Sequence, residues 1–199
     1  MEKQGLALFD FDGTITRGDS FGLFLKRSVS KLQLLKGFFV LLPNLVAFKT
    51  SLISNERAKQ KVVKHFFRNY DYNNLCALGE KVALNNLKFI VKDSALKQIE
   101  KHKQQGDRIV VVSASLEIWL KPWCDSMGLE LIATKLETVD GRITGKFLTP
   151  NCYGPEKVRR VKELIPNYDQ YSPISAYGDS RGDRELLAMA DLPHYRSFS

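Results

Sequence analysis

Apolar positions along the chain fall into two regimes. Short unbroken runs that end on a polar group stand near both ends, and a long stretch with helical spacing lies between them. Residues 5–10 begin the first regime: Leu6-Ala7-Leu8-Phe9 has the form of a buried strand and delivers Asp10 at its tip. From Asp19 to about Asn86 the spacing is helical. An amphipathic stretch starts with Leu23, Phe24, Lys26 and Arg27. Ser54-Asn55-Glu56 then has the form of a helix start leading into residues 58–67, and a second run covers residues 74–87. Helical spacing resumes at Ser94 and stops at Gly106. Arg108-Ile109-Val110-Val111-Val112-Ser113 is short, mostly β-branched and ends on a hydroxyl, as a central parallel strand does. Residues 116–127 predict a helix bent or ended near Pro122. Residues 130–134 predict a strand, and residues 136–139 and 142–147 a hairpin around Asp140-Gly141. Residues 156–164 predict a helix, Ile174-Ser175-Ala176-Tyr177 a strand, residues 184–190 a helix and residues 195–198 a final edge strand.

Strands that alternate with helices on both sides of a purely helical block imply an α/β protein. Its core is a Rossmann-like parallel sheet, with a small all-helical cap inserted after the first strand. On this reading residues 1–17 and 88–199 form the core and residues 18–87 the cap. Open parallel sheets bind ligands at the carboxyl ends of their strands. Asp10, Ser113 and Asp179 all fall at such ends.

The chemistry follows from Asp10-Phe11-Asp12-Gly13-Thr14. Two carboxylates spaced i, i+2 at the end of a dry strand share one side of the chain, and they are costly unless a cation or a phosphoryl group pairs with them. Asp10 is the candidate nucleophile, forming an aspartyl-phosphate. Asp12 is placed to protonate the leaving oxygen and then to activate water. A cation held by Asp10 and Asp179 would relieve the repulsion of an anionic substrate, and oxygen ligands of this kind suit Mg²⁺. Ser113 and Thr14 can donate to phosphate oxygens. Asp183 lies four residues beyond Asp179 and can face back to support the site, and Lys157 can neutralise Asp10 and phosphate together. Taken singly, each has a plainer reading: an Asx turn, a helix cap, a strand-end hydroxyl, a solvated lysine. Their order and their common placement at element ends argue for the functional reading.

Composition narrows the partners. The 199 residues carry 44% hydrophobic and 26% charged residues and a net charge of +8. That excess attracts anions such as phosphate compounds or an acidic membrane, or it is a lysine-rich solubilising surface. No zinc-finger or RNA-binding aromatic pattern occurs, so no nucleic-acid partner is expected. Cys76, Cys124 and Cys152 form no pair or metal spacing, which fits a reduced, cytoplasmic protein, and no signal peptide precedes the first strand. No Gly-x-Ser-x-Gly elbow, P-loop or His-Glu-x-x-His is present. His65, His102 and His194 read as surface or cap residues. Trp119 and Trp123, one helical turn apart, read as core packing.

These motifs resemble those of haloacid dehalogenase superfamily phosphatases of subfamily IB, the branch with a helical cap after the first motif. Phe9-Asp10-Phe11-Asp12-Gly13-Thr14 resembles the family's first motif and Val112-Ser113-Ala114-Ser115 its second. Lys157 stands where the third is expected, and Gly178-Asp179-Ser180-Arg181-Gly182-Asp183 resembles the fourth. The resemblance implies Asp10 as nucleophile and Asp12 as acid/base. It implies Ser113 and Lys157, with Thr14 and Ala114 beside them, as phosphate binders. It implies Mg²⁺ held by Asp10, Asp179 and the Asp12 carbonyl. An acid at Asp12 favours the phosphatase over the dehalogenase branch.

Substrate choice falls to the cap, where Asp19 and Arg57 are the specificity candidates. Phosphoserine phosphatases of this branch carry a glutamate near Asp19 and Ser-Gly-Gly in place of Ser113-Ala114-Ser115. The segment from Cys152 to Val158 instead resembles bacterial phosphatidylglycerophosphate phosphatases. Residues 32–48 are mostly apolar, with Lys26, Arg27, Lys31, Lys36 and Lys49 around them, and are interrupted by Lys36, Pro43 and Asn44. Two readings stand: the run is the cap's own core or a dimer contact, or it is an amphipathic segment on the inner face of an anionic membrane. The expected substrate is a small-molecule or lipid phosphate. The alternatives are phosphoserine-type activity and a non-enzymatic membrane- or anion-binding protein.

Overall fold

The structure, a computed structural model, describes residues 3–199. Five parallel strands form the central sheet: β1 (Leu6–Phe9), β2 (Arg108–Leu116), β3 (Glu130–Thr134), β6 (Ile174–Gly178) and β7 (Leu192–Tyr195), in the order β3-β2-β1-β6-β7. An antiparallel hairpin, β4 (Leu136–Val139) and β5 (Arg142–Phe147), stands apart from the sheet. Four helices follow β1: α1 (Ser20–Ser28), α2 (Lys31–Lys49), α3 (Asn55–Phe67) and α4 (Tyr72–Asn86). The remaining helices are α5 (Asp93–Gln104), α6 (Glu117–Ser126), α7 (Pro155–Leu164) and α8 (Arg184–Ala188).

Side-chain alternation sorts the sheet into two dry faces. Ala7, Phe9, Val111 and Tyr177 enter one hydrophobic cluster, while Leu6, Leu8, Val110, Val112 and Ala176 enter the other. With both faces covered, the strands read as continuous apolar runs. Phe9 pairs with Val111 on one side and Tyr177 on the other; β1 ends there and β6 one residue on, while β2 runs past the expected end at Ser113 to Leu116. Asp10, Ser113 and Asp179 follow within two residues of those pairs.

The helical block shares its core with the sheet. Phe21, Phe24, Val63, Phe67, Leu75 and Val82 join the cluster on the Phe9 face. The two tryptophans pack there as expected: the Trp119 ring stacks on Phe24 with centroids 4.5 Å apart, and Trp123 meets Phe11 edge-on at 5.1 Å. The hairpin reaches the same block. Asn69 N–H donates to Ile143 O, Ile143 N–H to Tyr70 O and Tyr72 N–H to Gly141 O. Gly145, at φ +91°, lets the hairpin approach α3 so closely that a Cβ would lie 2.7 Å from Lys64 Cα.

Three expectations are corrected. The apolar run forms α2 but is not the core of the cap: Leu32, Leu35, Phe38, Phe39, Val40 and Val46 are each more than half exposed. The helix touches its neighbours along one narrow stripe, where Gly37 and Asn44 are buried against α3, and its remaining surface is free. The last strand is Leu192–Tyr195, ahead of the expected 195–198. It pairs with β6 and ends where Arg196 takes φ 51°. Pro193 masks it in the sequence, yet an edge strand tolerates proline because one side needs no N–H. His102 is buried, with Nδ1 2.6 Å from Asp107 Oδ2 and Nε2 2.9 Å from Tyr177 Oη. It continues the buried stripe of Ala95 and Ile99 at helical spacing. His65 is exposed on α3, as expected.

Gly79 marks the closest approach of α4 to α6, where an added Cβ would lie 2.4 Å from the Ile118 carbonyl oxygen. Alanine normally favours a helix by up to ~1 kcal/mol over glycine. Here overpacking should dominate, and Gly79→Ala should lower stability by about 1–3 kcal/mol in urea unfolding.

Candidate active site

The chain leaves β1 through a tight turn, Phe11–Ile15, that points successive polar groups at the sheet edge. Gly13 makes this turn possible twice over. It adopts φ 85°, and a Cβ there would lie 2.4 Å from Asp179 Oδ2. Lys92 Nζ donates to Gly13 O at 2.7 Å and holds the turn from α5. The Asp10 backbone N–H donates to Tyr177 O at 2.9 Å, extending the ladder to the tip.

Lys157 lies at the bottom of the site. Gly154, at φ 60°, precedes α7, and Pro155 opens the helix, so Lys157 points down its first turn toward the sheet. Its side chain is 1% exposed. The ammonium donates to Asp10 Oδ1 at 2.6 Å, Asp183 Oδ1 at 2.6 Å and Val112 O at 2.7 Å. Three donors meet three acceptors, which is what a buried ammonium requires. The other oxygen of Asp183 accepts from the N–H of Asp179 at 3.2 Å and from the N–H and hydroxyl of Ser180 at 3.0 and 2.7 Å. Asp183 thereby shapes the loop that carries Asp179. The Thr14 hydroxyl bridges Asp10 Oδ2 at 3.1 Å and Asp179 Oδ1 at 3.3 Å, so it ties carboxylates together and does not line the cavity.

Burial governs the electrostatics. Desolvation pushes the Asp10 carboxyl up to about 7 despite the neighbouring Lys157 ammonium. Burial also raises Asp12, reinforced by Asp19, and raises Asp179, reinforced by Asp183. At Lys157 and Asp183 burial opposes charge, but their mutual attraction prevails, holding the ammonium above and the carboxyl below its usual range. Oxygens of Asp10, Asp179 and Asp183 lie within 4.8 Å of one another. A single ammonium contacts this group of three carboxylates, so a divalent cation bound by their hard oxygens fits the donor set and the charge. The Asp12 carboxylate is turned away from the cluster, accepting from Ser20 N–H at 2.7 Å and from the Ser115 hydroxyl.

The helical block after β1 borders the site through Asp19, Asn55 and Lys59. A cavity of about 190 Å³ is lined by Asp10, Asp12, Asp19, Ser113, Ala114, Lys157 and Asp183 from the expected set. Ser180 and Gly182 of the loop after β6 complete it together with Lys59, Asn55 and Tyr153, and sequence reading missed the last three as site residues. Lys59 projects from α3 and donates to Ala114 O at 3.1 Å, and burial lowers its pKa. Its signal was faint: one lysine among four basic residues of an amphipathic helix. Ser115 and Ser20, which hold Asp12, were also missed. Asp19 lines the cavity while capping α1 through a 2.8 Å bond from Gly22 N–H. Arg57 is exposed and lines a neighbouring cavity of about 640 Å³ with Phe48, Leu52 and Ile53, apart from the one that holds Asp10 and Asp12. Asn55 and Tyr153 border both cavities.

The pocket gathers carboxylates at the strand tips of a parallel sheet, and comparison with known proteins shows the family to which such a site belongs. A family model described as haloacid dehalogenase-like hydrolase matches residues 7–188, and the chain belongs to that family. Protein CicA of Caulobacter vibrioides is 33% identical over 202 residues, covering 97% of this chain and 86% of that protein. A solved Bordetella pertussis Tohama I protein of unknown function superposes with a TM-score of 0.83 at 23% identity, covering 94% of this chain and 87% of that one. A phospho-aspartyl intermediate analogue of phosphoserine phosphatase has the same fold, with a TM-score of 0.62 at 20% identity, covering 95% and 84%.

Lys157→Met should leave Asp10 and Asp183 buried without a counter-charge. The expected loss is about 3–5 kcal/mol in urea unfolding at neutral pH. Because protonation relieves the orphaned carboxylates, the loss should shrink as pH falls.

Proposed function

We propose that this chain is a Mg²⁺-dependent phosphomonoester hydrolase that works through an aspartyl-phosphate on Asp10. The observation that carries the reading is the pairing of two differently held acids on one small cavity. Asp10 is oriented by Lys157 and Thr14. Asp12 is held apart by Ser20 and Ser115, with a raised pKa. The Asp10 carboxylate attacks phosphorus as the ester P–O bond breaks. Asp12, whose pKa is raised by burial, gives a proton to the leaving oxygen. It then takes a proton from water, which attacks phosphorus, frees Asp10 and releases inorganic phosphate. Ser113 and the backbone at Ala114 line the wall where phosphate oxygens sit. Asp10 and Asp179, with Asp183 beside them, would hold Mg²⁺, which would supply charge neutralisation for the approaching anion. Family membership supports the hydrolase reading, and the fold shared with a phosphoserine phosphatase captured as a phospho-aspartyl analogue is consistent with it.

The cap sharpens the substrate. The cavity borders a larger one in which Phe48, Leu52 and Ile53 form an apolar wall alongside the polar Ser51, Ser54, Asn55 and Arg57, and that wall is the feature that would suit a phosphate carried on an apolar chain, that is, a lipid phosphate.

Asp10→Asn should abolish hydrolysis of an aryl phosphate while the unfolding midpoint stays near that of wild type. Full turnover by that variant would exclude the mechanism. Chelation by EDTA should stop turnover, and Mg²⁺ should restore it. Across alkyl phosphates, kcat/KM should rise about tenfold for every two methylenes buried and should exceed that for phosphoserine. The reverse ranking would assign the amino-acid class.

A further inference from the structure

We propose that α2 is a docking surface for an anionic lipid bilayer, lying in the plane of that surface. The helix is 19 residues long with a mean hydropathy of 1.4, and only 17% of its most apolar window is buried. Leu32, Leu35, Phe38, Phe39, Val40 and Val46 project from it more than half exposed, and Leu52 just beyond is 77% exposed. Isolated exposed apolar residues are ordinary, but this many on one helix form a continuous patch that calls for a partner.

The tie to α3 excludes a spanning orientation. Gly37 packs so closely on Phe66 that a Cβ would lie 2.2 Å from its ring. Asn44 Nδ2 donates to Ala58 O at 3.3 Å. These contacts lie two helical turns apart and hold α2 alongside a helix carrying Lys59, Lys61 and Lys64. Threading α2 through a bilayer would take that helix along or break both contacts. Lying flat, α2 buries its apolar face and leaves α3 in water.

Charge selects the partner. From Ser20 to Asn55 there is no aspartate or glutamate, while Lys26, Arg27, Lys31, Lys36 and Lys49 surround the apolar face. A second copy of the chain docked face to face would bring these cations against their own counterparts with no acid to pair them. Anionic headgroups supply the missing charge, and lysine stems reach them while the apolar residues enter the acyl boundary. The C-terminal end of α2 leads, through Phe48 and Leu52, to the cavity that borders the catalytic one. Docking therefore brings the mouth of the cleft to the bilayer. The docking itself does not rest on the phosphatase reading.

Vesicle sedimentation tests it on the full chain. Wild type should sediment with phosphatidylcholine vesicles containing phosphatidylserine, far less with phosphatidylcholine alone, and less as salt rises. Phe39→Glu with Val40→Glu should remain in the supernatant while hydrolysing aryl phosphate as wild type does. Lys31→Glu with Lys36→Glu should partition roughly tenfold or more weakly onto the anionic vesicles. In a Phe39→Trp variant, brominated acyl chains should quench the new tryptophan but not the buried Trp119 and Trp123. Wild type that stays in solution with anionic vesicles overturns the proposal. So does a dimer in sedimentation equilibrium that Phe39→Glu with Val40→Glu dissolves while vesicle binding is unchanged.

Discussion

The ammonium of Lys157 sits in a space from which water is excluded, between two carboxylates and a strand-end carbonyl. Removing one partner from such an arrangement leaves an uncompensated buried charge, so the three residues stand or fall together. Their positions are 147 and 26 residues apart along the chain, and their meeting requires α7 and the loop after β6 to pack against the tip of β1. The geometry of the whole edge follows. Asp183, held by Lys157, organises the Asp179 loop through its second oxygen. Thr14 spans Asp10 and Asp179, and Gly13 leaves room for both.

Around this centre the two acids of the first motif are given different surroundings. Asp10 faces a cation and hydroxyl in the floor of the cavity, whereas Asp12 is held by a backbone N–H and a serine from β2. A shared strand tip thus holds two carboxyls in distinct surroundings, as the proposed roles of nucleophile and proton donor require. The cap is part of the same arrangement. Its α3 places Lys59 against Ala114, and the Asn151 N–H donates to Glu56 at 3.2 Å, joining the cap to the loop that leads into α7.

Much of this was legible because it is local. Leu6-Ala7-Leu8-Phe9, the β-branched run before Ser113 and Ile174-Ser175-Ala176-Tyr177 declare dry strands. Asp10 and Asp179 directly follow β1 and β6, whereas Ser113 lies within β2, which runs on to Leu116. Gly106 and the Asp140-Gly141 turn declared their boundaries through positive φ. Less legible were residues whose role depends on a distant partner. Lys59 looks like its basic neighbours until α3 lies over Ala114. His102 gains its role only when Asp107 and Tyr177 close on it. Pro193 concealed an edge strand whose pairing only β6 supplies.

By itself the sequence determined the alternation of strands and helices, the cap's place after β1, and the carboxylates at the strand tips. These rest on periodicity, turn chemistry and side-chain direction, which act over a few residues. Only the tertiary structure decided which charges neutralise one another, which cap residue reaches the site, and which face of α2 stays bare. An apolar run carries the same pattern whether it is buried or exposed. What differs is the surface that arrives to cover it, and on α2 only a narrow stripe beside Gly37 and Asn44 is covered.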